Sequence, residues 1–125
     1  MAGFAREVID GVASEREVEL TTFGRNSGNS SRRILWAYTD GERVFIRSGG
    51  GLGRDWPRNF LANGRGILHV AGQDVPVTAR HVTDVSEARQ TGRLARAKYG
   101  NSIQITTEGD EPTLGEQATF ELLPA

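Results

Sequence analysis

The sequence predicts a mainly β domain: an antiparallel sheet of about six strands closed into a small β-barrel, with short helices between strands. Three observations carry this. Short runs of β-branched and aromatic residues alternate with polar ones at period two. Turn formers separate them at hairpin spacing, notably Asp40-Gly41 and Gly72-Gln73-Asp74. Helical patterns interrupt the strand series instead of alternating with it, which argues against a parallel βαβ array.

In order, Phe4, Val8, Ile9 and Val12 recur at helical spacing and predict a short helix ending near Gly11. Residues 17–23 form a strand in which Val18 and Leu20 oppose Glu17 and Glu19. Residues 24–31 are turn formers and predict a loop. Residues 32–39 read as one strand, with Ile34, Trp36 and Tyr38 on one face and Leu35 and Ala37 on the other. Asp40-Gly41 predicts a type I′ hairpin into residues 43–47. Asp55 suits the N-cap of a helix opening at Trp56-Pro57, and Asn63-Gly64 is a left-handed stop.

Residues 66–71 and 75–82 predict two further strands, with Pro76 near a strand start or on an edge because it lacks a donor. Asp84 or Ser86 caps a helix over 87–98 that Gly100 closes. Ala88, Thr91, Ala95 and Tyr99 share one side of it. Arg89, Arg93 and Arg96 share another, read as a solvated face with cations suited to a helix C-terminus. Residues 101–116 are irregular and acidic, anchored by Ile103 and Ile105. Residues 117–123 end the chain as a strand with Ala118, Phe120 and Leu122 facing one way.

The 125 residues make one domain, 1–125, large enough for its own core. Fifteen Lys and Arg against sixteen Asp and Glu give a net charge of −1, which offers no global attraction to nucleic acid or an anionic membrane. Without cysteine there is no disulfide, thiolate metal site or cysteine nucleophile. The N-terminal residues include Glu7 and Asp10 and no long apolar run, so neither a signal peptide nor a membrane anchor is expected, and the default compartment is cytoplasmic.

The chain is organised around residues 42–63, which read as strand, glycine loop and helix. Gly49, Gly50, Gly51 and Gly53 break the apolar run Val44, Phe45, Ile46. A loop rich in free N–H groups that feeds a helix N-terminus, flanked by Arg47, Arg54 and Arg58, can cradle an anion such as phosphate. The same stretch also reads as a plain strand-to-helix connection, since it fits neither the dinucleotide nor the Walker pattern. Arg47 is either a guanidinium fork for phosphate or carboxylate or a rim arginine. Trp36 and Trp56 either wall a flat ring or belong to the core. His69 and His81 lie on different strands without a third ligand, so no metal site is expected. Ser27, Ser30 and Ser31 have no His–Asp partner by spacing, and nothing identifies a catalytic acid, base or nucleophile.

Trp36-Ala37-Tyr38, Asp40-Gly41, Val44-Phe45-Ile46-Arg47-Ser48, the glycine loop with Trp56, Lys98-Tyr99-Gly100 and the terminal Ala118-Thr119-Phe120 with Leu122-Leu123-Pro124 resemble the bacterial family called domain of unknown function 2255. That family sits among the FMN-binding split barrels, and the resemblance runs from about residue 17 to 124. More distantly, Thr21-Thr22, Gly24-Arg25, Ser27-Gly28, Ser48 with Gly50-Gly51, and Trp56 with Asn59 resemble the deazaflavin-dependent nitroreductases. Asn26 stands where those enzymes carry lysine, and Arg32 comes one residue later than their arginine.

The resemblance implies a split barrel binding FMN or an 8-hydroxy-5-deazaflavin. Ser48, Gly49, Gly50 and Gly51 would form the cradle, and Arg25, Arg32 or Arg33 would supply charge beside Ser27; Arg47, Arg54, Trp36 and Trp56 join the candidates from the residue reading above. It implies a homodimer and, if the protein is an enzyme, hydride transfer to a small acceptor, nitroreductase- or quinone-reductase-like. Two other classes stay open: a non-catalytic barrel for haem, an acyl chain or a protein partner, and a loop that serves dimerisation alone.

Overall fold

The computed structural model describes residues 3–24 and 28–125. Its elements are α1 (Arg6–Ser14), β1 (Val18–Phe23), β2 (Ser30–Leu35), β3 (Ala37–Thr39), β4 (Val44–Arg47), α2 (Asp55–Asn63), β5 (Arg65–Val70), β6 (Gln73–His81), α3 (Val85–Tyr99), α4 (Leu114–Gln117) and β7 (Thr119–Pro124). All strand pairs are antiparallel, in the order β2-β1-β5-β6-β7-β4-β3.

The two edges of that sheet, β2 and β3, are consecutive in the chain and separated by Trp36 alone. A flat seven-stranded ladder would hold its edges about 29 Å apart at ~4.8 Å per spacing. Two Cα steps of about 3.8 Å cannot bridge that. The sheet therefore curls until its edges meet, and Trp36 is the covalent seam. This explains why seven strands stand where about six are expected. The run 32–39 keeps its predicted alternation, but its first half pairs with β1 and its second with β4, so it divides at the seam.

Alternation across the seam sorts the core into two parts. Leu35 and Ala37 face the barrel interior, which α1 fills with Val8, Ile9 and Val12 and α2 with Trp56 and Phe60. Trp36 and Tyr38 turn outward, where Tyr38, Phe45, Ala95 and Tyr99 form a second cluster under α3. β7 lies between β6 and β4 and is buried on both faces from Thr119 to Leu122, as expected of a central strand.

The turns depart from expectation in two places. Asp40-Gly41 starts a four-residue loop, because the Asp40 carboxylate accepts from Glu42 N (2.9 Å) and Arg43 N (2.7 Å) and closes it as an Asx turn. The two-residue hairpin lies instead at Ala71-Gly72, where φ is +54° and +68°, the type I′ signature. Pro76 sits where β6 runs past the end of β7, so its missing donor breaks no ladder bond on that side.

α3 begins as expected, with Asp84 accepting from Ser86 N at 3.0 Å, and ends at Gly100 with φ +94°. Arg93 and Arg96 are exposed, as expected, but two of the three arginines also make contacts. Arg89 Nε donates to Thr106 Oγ1 (3.0 Å), and Arg96 donates to Ile103 O (2.7 Å), so both hold the irregular segment against the helix. That segment ends in α4, whose capping box of Thr113 and Glu116 the irregular reading of 101–116 missed.

Candidate functional site

A cleft of about 900 Å3 opens beside the seam. One end is aromatic. Trp36 and Tyr99 stack with centroids 4.1 Å apart and planes 5° off parallel, and the Arg16 guanidinium lies 5.2 Å from the Trp36 centroid. The Tyr99 hydroxyl accepts from Ala37 N at 3.1 Å and lies 2.7 Å from Arg16 O and 3.0 Å from Ala37 O. Burial pushes this phenol up to about 12. Tyr38, under the same helix, is also held above its ordinary range by burial, against the lowering pull of the Arg47 guanidinium.

The other end is built from backbone and cations. Ser48 continues β4, with its N–H on Ala118 O (3.0 Å), and a tight turn returns Gly51 N to Ser48 O at 3.0 Å. Gly51 has φ +85°, and its Cα faces Leu114, so it serves the turn and is not on the cleft wall. Gly49, Gly50 and Gly53 do line the cleft. Among the described residues their amides and the Ser48 hydroxyl have no protein partner. Arg54 folds across Gly50 so closely that a Cβ there would meet the guanidinium.

α2 begins directly after this loop. Its cap residue is Arg54 and no side chain caps it. Asp55, expected as the N-cap, lies one residue inside the helix and pairs instead with Arg33 at 3.2 Å across the cleft mouth. The first-turn amides of Asp55 and Trp56 therefore have no intrahelical acceptor. Trp56 belongs to the core, edge-on to Phe60 and Phe120 at 6.0 and 5.7 Å, and presents one margin to the cleft.

The remaining sequence candidates divide. Arg33 is at the mouth. Arg32 points elsewhere, bound to Glu19 at 2.7 Å. Arg25 and Ser27 lie outside the described residues. Arg47 reaches the cleft wall with two nitrogens already used: Nε donates to the Tyr38 hydroxyl (2.9 Å) and Nη2 to Ala88 O (3.0 Å).

Three arrangements escaped the sequence reading. Lys98 donates to Val12 O, Glu15 O and Ala37 O at 2.6, 2.6 and 2.7 Å, tying α1 and β3 to α3. Burial lowers this amine to about 8. His69 sits between Thr21 Oγ1 (2.7 Å) and Asp74 Oδ1 (2.7 Å), a hydroxyl–imidazole–carboxylate row on the outer sheet face, with Thr21 itself buried. His81 bonds Gln117 O at 2.8 Å and stacks on Phe120 at 4.9 Å. Only the His69–Asp74 pairing had a signal, as directly opposed residues across the 70–73 hairpin. No group of three or more His, Asp or Glu among the described residues is placed to hold a metal, and no described helix is long and apolar enough to cross a membrane.

Comparison with known proteins fits this architecture. The family described as an uncharacterised protein conserved in bacteria (DUF2255) matches residues 8–121. No significant match exists among curated proteins. Among solved structures, the F420-H2 dependent reductase FDR-A is 22% identical with a TM-score of 0.66, over 86% of this chain and 94% of that one. HutZ, the haem storage protein of Vibrio cholerae, is 18% identical with a TM-score of 0.70, over 95% and 88%. A Listeria innocua protein assigned as a pyridoxamine 5′-phosphate oxidase is 11% identical with a TM-score of 0.68, over 94% and 90%. The fold is that of the split barrels.

Proposed function

We propose that this chain, which belongs to the DUF2255 family, binds a flavin or deazaflavin nucleotide in the cleft beside its seam and positions it for hydride transfer to a small organic acceptor. One observation carries the reading: unpartnered backbone donors from Gly49, Gly50 and Gly53 stand at one end of a 900 Å3 cleft whose other end is aromatic. Such a pairing suits a ligand with a flat ring and an anionic tail.

The residues present fit that group. The loop amides and the opening of α2 would hold the phosphate, with Arg54 and Arg33 supplying charge. Trp36, already stacked, would border the ring without needing to reorganise. When bound, the cofactor supplies the hydride chemistry, and the protein supplies orientation. The F420-H2 dependent reductase shares the fold and is consistent with this assignment. A haem reading, suggested by the storage protein, finds neither His69 nor His81 among the cleft residues. A homodimer completing the ring pocket belongs to the same proposal, as does a cytoplasmic location.

The test is titration of the purified protein with FMN, FAD and 8-hydroxy-5-deazaflavin, followed by fluorescence quenching. Binding tighter than about 100 µM, or ~5.5 kcal/mol, is expected for at least one. Weaker binding of all three overturns the proposal.

A further inference from the structure

The cleft does not end at Arg47. A second lobe of about 440 Å3 continues beneath the segment before α4 and shares Arg47, Gly49, Ser102 and Ile103 with the first. Gln104, Thr113, Leu114 and Gly115 complete its wall. Arg47 therefore stands at the junction of two compartments.

Its environment is unusual for a part-buried cation. Its recorded acceptors are all neutral: the Tyr38 hydroxyl, Ala88 O and, at 3.4 Å, Thr91 Oγ1. It forms no ion pair among the described residues. Glu116 is near enough to feel its charge and offsets part of it, but forms no direct ion pair with it, its oxygens being turned to other donors. Its Oε1 accepts from Thr106 Oγ1 (2.7 Å) and Thr113 N (2.9 Å), and its Oε2 from Thr106 N (3.0 Å). A part-buried cation without a direct ion pair gains free energy from an opposite charge brought into contact with it.

The walls around the guanidinium are bare. A Cβ on Gly92 would lie 3.2 Å from Nη2, and one on Gly115 would lie 3.4 Å from Cδ and 3.9 Å from Nη1. Two helices thus leave room beside the one guanidinium nitrogen, Nη1, that has no described acceptor. Gly115 belongs to the wall of the second lobe, so Nη1 stands at the edge of that lobe.

From this junction we infer that the second lobe is a subsite for a small organic carboxylate, gripped by Arg47 Nη1, and that the acceptor substrate of the cleft carries such a carboxylate as its anchor, the hydride going to another, electron-poor atom of the molecule. The subsite stands on the geometry at Arg47, while its role as acceptor site rests on the cofactor reading above. Tyr38, Ala88 and Thr91 fix the guanidinium in advance, so a carboxylate meets a cation that needs no reordering.

The test uses the cofactor-free protein with benzoate and its neutral isostere benzamide, followed by chemical-shift perturbation. Benzoate is expected to bind at least about tenfold more tightly than benzamide, moving resonances at Gly115 and Gln104. Arg47→Gln should abolish the difference; because Arg47 is also bonded internally, Gln104→Glu provides a second arm. Gln104 is exposed, and a carboxylate there should weaken benzoate about fivefold without unfolding the protein. Equal binding of benzoate and benzamide, or no response to Gln104→Glu, overturns the subsite. Inorganic phosphate displacing benzoate with equal affinity overturns the carboxylate assignment. Titration of the same samples with FMN, FAD and 8-hydroxy-5-deazaflavin reports separately: binding of any of the three without benzoate discrimination refutes the subsite alone, and discrimination without binding of any of the three refutes the cofactor reading alone.

Discussion

The Tyr99 hydroxyl accepts from Ala37 N at 3.1 Å and lies 3.0 Å from Ala37 O, bracketing both polar backbone groups of the residue just past the seam. Curling a sheet until its edges meet leaves edge groups without ladder partners; the phenol answers for the Ala37 N–H, and Lys98 Nζ donates to Ala37 O at 2.7 Å. Tyr99→Phe keeps the stack on Trp36 but strands a buried N–H. A loss of about 1–3 kcal/mol is expected in denaturant unfolding at unchanged m value. A loss under about 0.5 kcal/mol would show that the seam is held by packing alone.

The chain has only two tyrosines, and burial raises both phenols, Tyr99 to about 12. Between the unfolded value of 10 and the folded one, the folded state holds protons that the unfolded state releases. Stability is therefore undiminished below pH 10 and falls as pH rises toward 12. Absorbance at 295 nm should show no tyrosinate in the native protein at pH 10, and its appearance at higher pH should coincide with loss of structure. A smooth native titration near pH 10 would contradict this.

Lys98 has the opposite sign over a lower range. Burial lowers its amine to about 8, so between pH 8 and the unfolded value of 10.5 the unfolded state carries more protons. This contribution makes stability rise with pH across that interval. Thermal melts from pH 7.5 to 9.5 should show an upward slope that Lys98→Met flattens. Parallel curves for the two proteins would place the effect elsewhere.

Neighbouring glycines separate folding from binding. Gly51→Ala puts a side chain at φ +85° facing Leu114 and should cost about 1–3 kcal/mol of stability. Gly50 has no positive φ, and its alanine would displace only the flexible end of Arg54. Gly50→Ala should fold normally and bind FMN about tenfold more weakly. Equal affinity for wild type and Gly50→Ala would remove Arg54 from the cradle.

The exposed Arg33–Asp55 pair gives a converse case. Asp55→Asn should change stability by less than about 0.5 kcal/mol, because an exposed pair contributes little. It removes a negative charge from the mouth and frees Arg33, so FMN affinity should rise. A fall in affinity, read by the same quenching titration, would mean that Asp55 supports the ligand.

What the sequence revealed was whatever follows from local periodicity. The alternation Leu35, Ala37 against Trp36, Tyr38 is correct in three dimensions, and so are the buried side of α3 and the stop at Gly64. The seam was illegible, because a change of pairing partner leaves the alternation intact. Capping at Asp55 failed for another reason: the carboxylate has a competing cation, Arg33, 22 residues away. The fixing of Arg47 by Tyr38 and Ala88 is equally a long-range fact, and it occupies two of the three guanidinium nitrogens.

The claim on which the functional reading turns is that the amides after β4 receive an anionic tail. Backbone 15N–1H spectra recorded during FMN titration test it residue by residue. Gly49, Gly50 and Gly53 should show the largest shifts, with Arg54 following. If FMN saturates the protein while those three amides stay unmoved, the tail lies elsewhere and the cradle is only a connection between β4 and α2.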